Sequence, residues 1–410
     1  MATIRPFKAL RPSAEKASAV SAVPYDVVNT EEAREQAVGN PLSFLHVSRP
    51  EIDLADSVDP YSDAVYQKAA ENFEALKLEA PLTLESSPSL YIYLVQMGDH
   101  SQSGIAACCS VDEYDENIIL KHEHTRKDKE DDRTRHMLTL GAQTGPVFMT
   151  YRGRSEINWL VSREQTADPL FDLTATDGIR HTIWRVSEEA KEKLIEAFRG
   201  IRRIYIADGH HRAASASRAR AQLRTLKPDH RADDESNFFL SVLFPADQVQ
   251  ILAYNRAVKD LNGLSLDEFF GVLSQHFELA EAPSPTPQRK GQICAYVAGK
   301  WYTLTLPHGT TSPMDPISSL DVTVLQERVL SPVLGINDIR TDKRIEFVGG
   351  IRGAGGLERM VDEGRAAIAF SMFPVQVEEL IAIADAGEIM PPKSTWFEPK
   401  LRDGLLSHVI

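Results

Sequence analysis

Asp208-Gly209-His210-His211-Arg212 is a five-residue turn whose side-chain types suit the gripping of a phosphate. The apolar run Ile204 to Ala207 before it reads as a short buried strand, and Ala213 to Ala221 after it is rich in helix formers. A turn between them opens a helix, whose first N–H groups have no intrahelical partner and carry partial positive charge. Such a terminus is a ready anion site. His210, His211 and Arg212 are expected to add donors aimed the same way, and Gly209 to let a ligand approach the backbone closely. Asp208 is placed to take a proton or hold a metal beside them.

A second cluster runs from Lys121 to His136 and mixes three histidines, Thr125, basic residues and carboxylates. A plain solvated helix face would be mostly Glu and Lys. An extended start places His122 and His124 on one face, and helical spacing places Lys129, Arg133 and His136 on another. The expected roles are Glu123 as general base, His136 beside it, and Lys129 and Arg133 as phosphate ligands. A His-x-His pair without thiolates does not make a dedicated zinc site, so no resident metal is expected. Mg²⁺ needs only one or two carboxylates plus substrate phosphates. Asp208, Glu123 or Asp26 are the candidates to receive it with a nucleotide. Asp26, after Pro24-Tyr25, is also a candidate substrate ligand, as are Lys393, Ser394 and Thr395 in the proline-stiffened segment 391–400. The chain has no Walker-type loop and no serine-nucleophile elbow. Its glycine-rich run, Gly349 to Gly356, reads as a flexible loop.

The elements that must position these residues mix strands and helices. Tyr61 to Leu78 carries apolar residues at helical spacing, and Leu90 to Met97 with Ile105 to Val111 makes a hairpin. Pro146 to Tyr151, Asp177 to Val186, Phe238 to Phe244 and Ile251 to Arg256 read as strands, and Glu188 to Arg199 as a helix. After Asn262 the texture changes: helices over Leu266–Phe277, Asp321–Val329, Leu357–Glu363 and Val375–Ala386 alternate with short strands. The chain therefore reads as α+β with a mixed sheet. Residues 1–262 form a core carrying the turn, and 263–410 form a smaller α+β region that is a candidate to complete the cleft.

Bulk composition sets limits. With 410 residues the chain can hold two or three cores. A net charge of −14 and a pI near 5.4 disfavour a nucleic-acid partner and fit a small phosphorylated ligand in a pocket. No apolar run reaches bilayer length, and the opening residues lack the apolar core of a signal peptide. Cys108, Cys109 and Cys294 give no disulfide framework, so the cytoplasm is the expected compartment. A homodimer is the simplest assembly.

The motifs in order resemble domain-of-unknown-function family 1015. They are Pro6-Phe7, Pro24-Tyr25-Asp26-Val27, Asn40-Pro41 and Arg49-Pro50-Glu51 near the start. His122-Glu123, Asp132-Arg133, His136 and the 208–212 turn follow, then Phe347-Val348-Gly349-Gly350 and Pro391 to Lys400. The turn alone also resembles the phosphate-gripping turn of the ParB/sulfiredoxin-like fold, and most closely that of the free serine kinases. That resemblance implies phosphate contacts from Gly209, His210, His211 and Arg212. With no cysteine near the turn, a sulfinic-acid reductase is not expected. It further implies a phosphoryl-transfer enzyme on a small amino-acid-like substrate, best matched by a free serine kinase using ATP or ADP. The alternatives are a phosphoserine phosphatase and a non-catalytic regulator binding a nucleotide or phosphometabolite.

Overall fold

The computed structural model describes residues 2–227, 229–307 and 315–410. It is α+β and divides into two compact units, Met1–Val249 with Pro399–Ile410, and Gln250–Glu398. The sequence places a single boundary near residue 262. Strand pairing puts the division earlier. Gln250–Leu252 pairs with Trp396–Glu398, and Tyr254–Val258 lies between Ile345–Gly349 and Ile368–Met372. The segment read as one returning strand is thus two strands in two different sheets of the second unit. The last twelve residues return to the first unit, where Ser407–Val409 pairs with both Ala9–Arg11 and Ala142–Gln143.

A nine-stranded mixed sheet organises the first unit. Its order is Ile119–Leu120, Ile204–Asp208, Val147–Tyr151, Phe238–Pro245, His100–Ser110, Tyr91–Met97, Arg180–Arg185 and Phe171–Thr174, with Ile4–Arg5 also paired to His100–Ser110. The central strands are apolar on both faces, as a sheet covered on both sides requires: Tyr205 and Ile206 are both fully buried neighbours. Adjacent Cys108 and Cys109 are likewise both buried in the sheet. Helices Ser155–Glu164, Glu188–Arg199 and His210–Leu226 contribute Leu160, Leu194, Phe198, Ala213 and Ala216 to one core with Met149, Ile206 and Leu243. A second core gathers Phe44, Phe73 and Leu76 under helices Thr30–Ala37, Leu45–Ser48 and Asp63–Glu79. Asn29 caps the first of these through Glu32 in a reciprocal capping box.

The second unit is a six-stranded antiparallel sheet in the order Glu278–Glu281, Lys300–Thr305, Gln292–Val297, Ile368–Met372, Tyr254–Val258, Ile345–Gly349. The glycine-rich run does not form a loop throughout: Gly353 opens a helix to Asp362. Leu357 and Met360 on that helix bury against Ala257 and Ala369, and this apolar face outweighs the poor helix propensity of glycine.

Candidate functional site

Strand Ile204–Asp208 runs parallel to Ile119–Leu120 and antiparallel to Val147–Tyr151. Its register with the latter slips between Ile206 and Asp208, a bulge that re-aims the strand's end. Gly209 follows at φ +92°, a conformation that favours glycine, and the seventeen-residue helix His210–Leu226 starts at once. The missing side chain has a second use. A Cβ on Gly209 would lie 3.1 Å from Nε and 3.2 Å from Cζ of Arg212, so the guanidinium folds back against the turn. Arg212 donates from Nη1 to the Pro146 carbonyl, and its Nη2 lies 3.7 Å from Asp26 Oδ2. Burial would lower its pKa, but Asp26, Asp208 and Asp403 override that and raise it.

Asp208 is fully engaged. Its Oδ1 accepts the Gly209 N–H at 2.8 Å, and its Oδ2 pairs with Lys400 Nζ at 2.9 Å. Burial alone would raise this carboxyl, yet Lys400 and Arg212 hold it well below the usual carboxylate range. A carboxylate so held is a poor proton acceptor at neutral pH, which argues against the role of base that its sequence position invites.

The two sequence clusters converge. The imidazoles of His122 and His210 stand perpendicular with centroids 4.5 Å apart, and the His122 N–H points at His210 Nε2 at 3.4 Å. The Arg126 N–H donates to His211 Nε2 at 3.1 Å. Each turn histidine therefore uses Nε2 as an acceptor, which requires the neutral ring. Burial pushes His210 well below its ordinary value, with His122 adding to the effect, and burial also lowers His211. Both Nε2 atoms are thus taken as acceptors within the protein, and the positive side chain of the turn is Arg212. A bend at Glu123 separates the histidines before it and after it, leaving His122 buried and His124 exposed, so they do not share a face. The partner His122 faces is His210. Glu123 sits between, and His122, Glu123 and His210 bring one ligand-capable atom each within 4.8 Å of one another.

Helix Lys127–Leu140 carries Lys129, Arg133 and His136, and they part company. Lys129 Nζ donates to the Tyr61 hydroxyl at 2.9 Å. Arg133 lies over the Tyr25 ring at 4.2 Å, donates from Nε to Asp132 at 2.9 Å and from Nη1 to the Ser48 carbonyl at 3.2 Å. His136 spends Nε2 on the Val47 carbonyl at 2.8 Å. Burial, aided by Arg133, lowers its pKa to about 4. The neutral ring donates to this backbone carbonyl and so ties the helix to the Leu45–Ser48 turn.

Arg133, His136 and Arg212 line one cavity of about 40 Å³ together with Tyr25, Ser48 and Asp403. Asp403 is 2% exposed, and a Cβ on Gly145 would lie 2.5 Å from its Oδ1, so Gly145 is the residue that leaves it room. Burial pushes the Asp403 carboxyl up to about 7 against the pull of Arg212, and Asp26 adds to the rise. Beside it, Arg402 donates from Nε to His181 Nε2 at 3.0 Å and pairs with Asp177, fixing the returning chain.

Asp403 escaped the sequence reading, and the motif that ends in Lys400 was read through its middle residues. About 190 residues separate Asp208 from Lys400, and nothing local to either marks the pairing. Lys393, Ser394 and Thr395 belong to the second unit. There the Ser394 hydroxyl donates to the Pro391 carbonyl at 2.6 Å, and the Lys393 carbonyl, at φ +60°, accepts from buried Arg256 at 3.1 Å. Among the described residues, no helix is long and apolar enough to cross a membrane.

Solved structures resemble this chain at low similarity. A free serine kinase in complex with AMP is 14% identical, with 74% of this chain and 91% of that chain covered at a TM-score of 0.37. SbnI with a C-terminal truncation, from Staphylococcus aureus, is 12% identical over 74% of this chain and 87% of that one, TM-score 0.38. A conserved hypothetical protein from Pyrococcus furiosus is 14% identical over 75% and 95%, TM-score 0.36. No curated protein matches. A family model described as "Protein of unknown function (DUF1015)" matches residues 4–323, which include the turn and the His122–His136 segment and stop short of Lys400 and Asp403. The chain belongs to the DUF1015 family.

Proposed function

We propose that the first unit is a phosphoryl-transfer enzyme acting on a small amino-acid-like substrate, with a nucleotide-dependent free serine kinase as the specific reading. One observation carries it: the glycine turn holds the Arg212 guanidinium against a helix N-terminus while the Glu123 bend packs against the same turn. Phosphoryl transfer asks a protein mainly to position its reactants and to stabilise charge on the phosphate oxygens. Helix N–H groups and the Arg212 fork supply both, in the manner of the ParB/sulfiredoxin-like turn.

Glu123 takes the substrate hydroxyl proton. Asp208, neutralised by Lys400, fixes the turn's entry through the Gly209 N–H. Lys129 supplies charge from the neighbouring helix after leaving the Tyr61 hydroxyl. ATP or ADP is the phosphoryl donor. Mg²⁺ is a hard cation that prefers oxygen ligands, and the two imidazoles beside Glu123 suit it poorly. In this proposal it arrives on the nucleotide phosphates with a single carboxylate from the protein.

Full-length protein incubated with L-serine, Mg²⁺ and either ATP or ADP, followed by phosphorus NMR, tests this. Phosphoserine is the expected product, and its absence with both nucleotides overturns the kinase. Phosphate released from phosphoserine without nucleotide selects a phosphatase instead. Ligand-induced stabilisation without any product selects a regulator.

A further inference from the structure

Three residues of the first unit each carry a buried side-chain atom without a hydrogen-bond partner: Asp403 Oδ1, Arg212 Nε and Ser48 Oγ. All three residues line the cavity beside the glycine turn. Buried polar atoms are almost always satisfied, and leaving one unmade costs its full desolvation. Three orphans around one space, with both signs of charge represented, mark a place built for a polar guest.

Size narrows the guest. On this measure a water needs about 10–15 Å³, so about 40 Å³ takes roughly three heavy groups. That admits a small charged head and excludes a nucleoside. Chemistry narrows it further. Arg133 offers a guanidinium suited to a carboxylate, and the Ser48 hydroxyl adds a donor. Asp403 offers a carboxyl oxygen kept from solvent, and Asp26 lies 3.7 Å from Arg212. A carboxylate and an ammonium one carbon apart satisfy both sides at once.

We infer that this cavity is the recognition site for the head group of a free α-amino acid, with Asp403 binding the ammonium and Arg133 and Ser48 binding the carboxylate. This rests on the reading of the neighbouring turn as a phosphoryl-transfer site, since it seats the amino acid whose side-chain hydroxyl would face that turn. It makes Asp403, outside the matched family region, the residue that separates amino acids from hydroxy acids.

Calorimetric titration of the full-length protein with L-serine, D-glycerate and ethanolamine tests it. These share the hydroxyl and differ in the head group. L-Serine is expected to bind at least tenfold more tightly than either analogue. Asp403→Asn is expected to weaken L-serine at least tenfold. Equal binding of L-serine and D-glycerate, no binding of L-serine, L-threonine or L-homoserine, or an unaffected folded Asp403→Asn protein overturns the inference and leaves a water-filled cavity. Should Asp403→Asn fail to fold by circular dichroism, the wild-type ligand series decides alone. Selective serine binding without phosphoserine sinks the kinase and keeps this site. Phosphorylation of D-glycerate as fast as L-serine keeps the kinase and sinks this site.

Discussion

Replacing Gly209 by alanine perturbs the turn in two separable ways. A residue with a side chain at φ +92° sits outside the allowed regions, and such positions cost about 1–3 kcal/mol. The new Cβ would also lie 3.1 Å from Arg212 Nε, tighter than ordinary contact, so the guanidinium must shift by a few tenths of an ångström. Arg212 cannot shift freely, because the Pro146 carbonyl holds one end of it. Gly39 separates the two effects. It lies at φ +74° in the same unit, and a Cβ there would meet nothing within 4 Å, so Gly39→Ala carries the backbone cost alone. Both variants are expected to lose about 1–3 kcal/mol in urea unfolding, about 2–12 °C of melting temperature for a unit of this size. Only Gly209→Ala is expected to lose binding, at least tenfold for inorganic phosphate and for ADP by calorimetry. Equal phosphate affinity in folded Gly209→Ala and Gly39→Ala would refute the assignment of the Arg212 turn as the anion site.

Three further outcomes follow from the same geometry. Lys400→Met strips Asp208 of its cation; with the pair only partly buried, about 2–3 kcal/mol of stability should go, less than the roughly 3–5 kcal/mol of a fully buried pair, read by urea unfolding at pH 7. Arg220, 6% exposed, ties helix His210–Leu226 to Asp112 and Asp115; Arg220→Ala should cost about 1–3 kcal/mol because both carboxylates stay solvated, with phosphate affinity within twofold of wild type. Acid should unfold the chain early. His122 and His136, lowered by burial to about 4, and His181 and His210, pushed well below normal by burial, stay neutral when folded. Unfolded histidine takes its proton near pH 6.5, so the unfolded state binds more protons and stability falls as pH drops from about 6.5 toward 4. Asp403 and Asp321, raised by burial to about 7 and about 6, and Glu113, also raised by burial, run the other way. The unfolded state's excess of protons predicts a loss on the order of 1–3 kcal/mol per pH unit. Urea midpoints that stay flat between pH 6.5 and 5 would contradict it.

The turn itself was legible in the sequence because its causes are local. A buried apolar run, a glycine and an alanine-rich stretch in that order specify strand, turn and helix with no help from distant residues, and the structure has Ile204–Asp208, Gly209 and His210–Leu226. Helix Glu188–Arg199 was legible for the same reason, with Ser187 accepting from Ala190 at its start. The protonation of the histidines was not legible. Residue type names His210 and His211 as donors, but burial against the 122–126 segment turns both Nε2 atoms into acceptors.

Sequence alone determined where the strand–glycine–helix turn lies and that the family is DUF1015, since both are written in contiguous residues. Tertiary structure alone decided which charges survive there. Asp208 was tied to Lys400, Arg212 was folded under Gly209, and Asp403 was brought to a cavity whose other walls lie up to 378 residues earlier in the chain, at Tyr25. Ion pairing and burial depend on distance in space, and a strand that leaves for a second unit and returns sets those distances in a way no local spacing encodes.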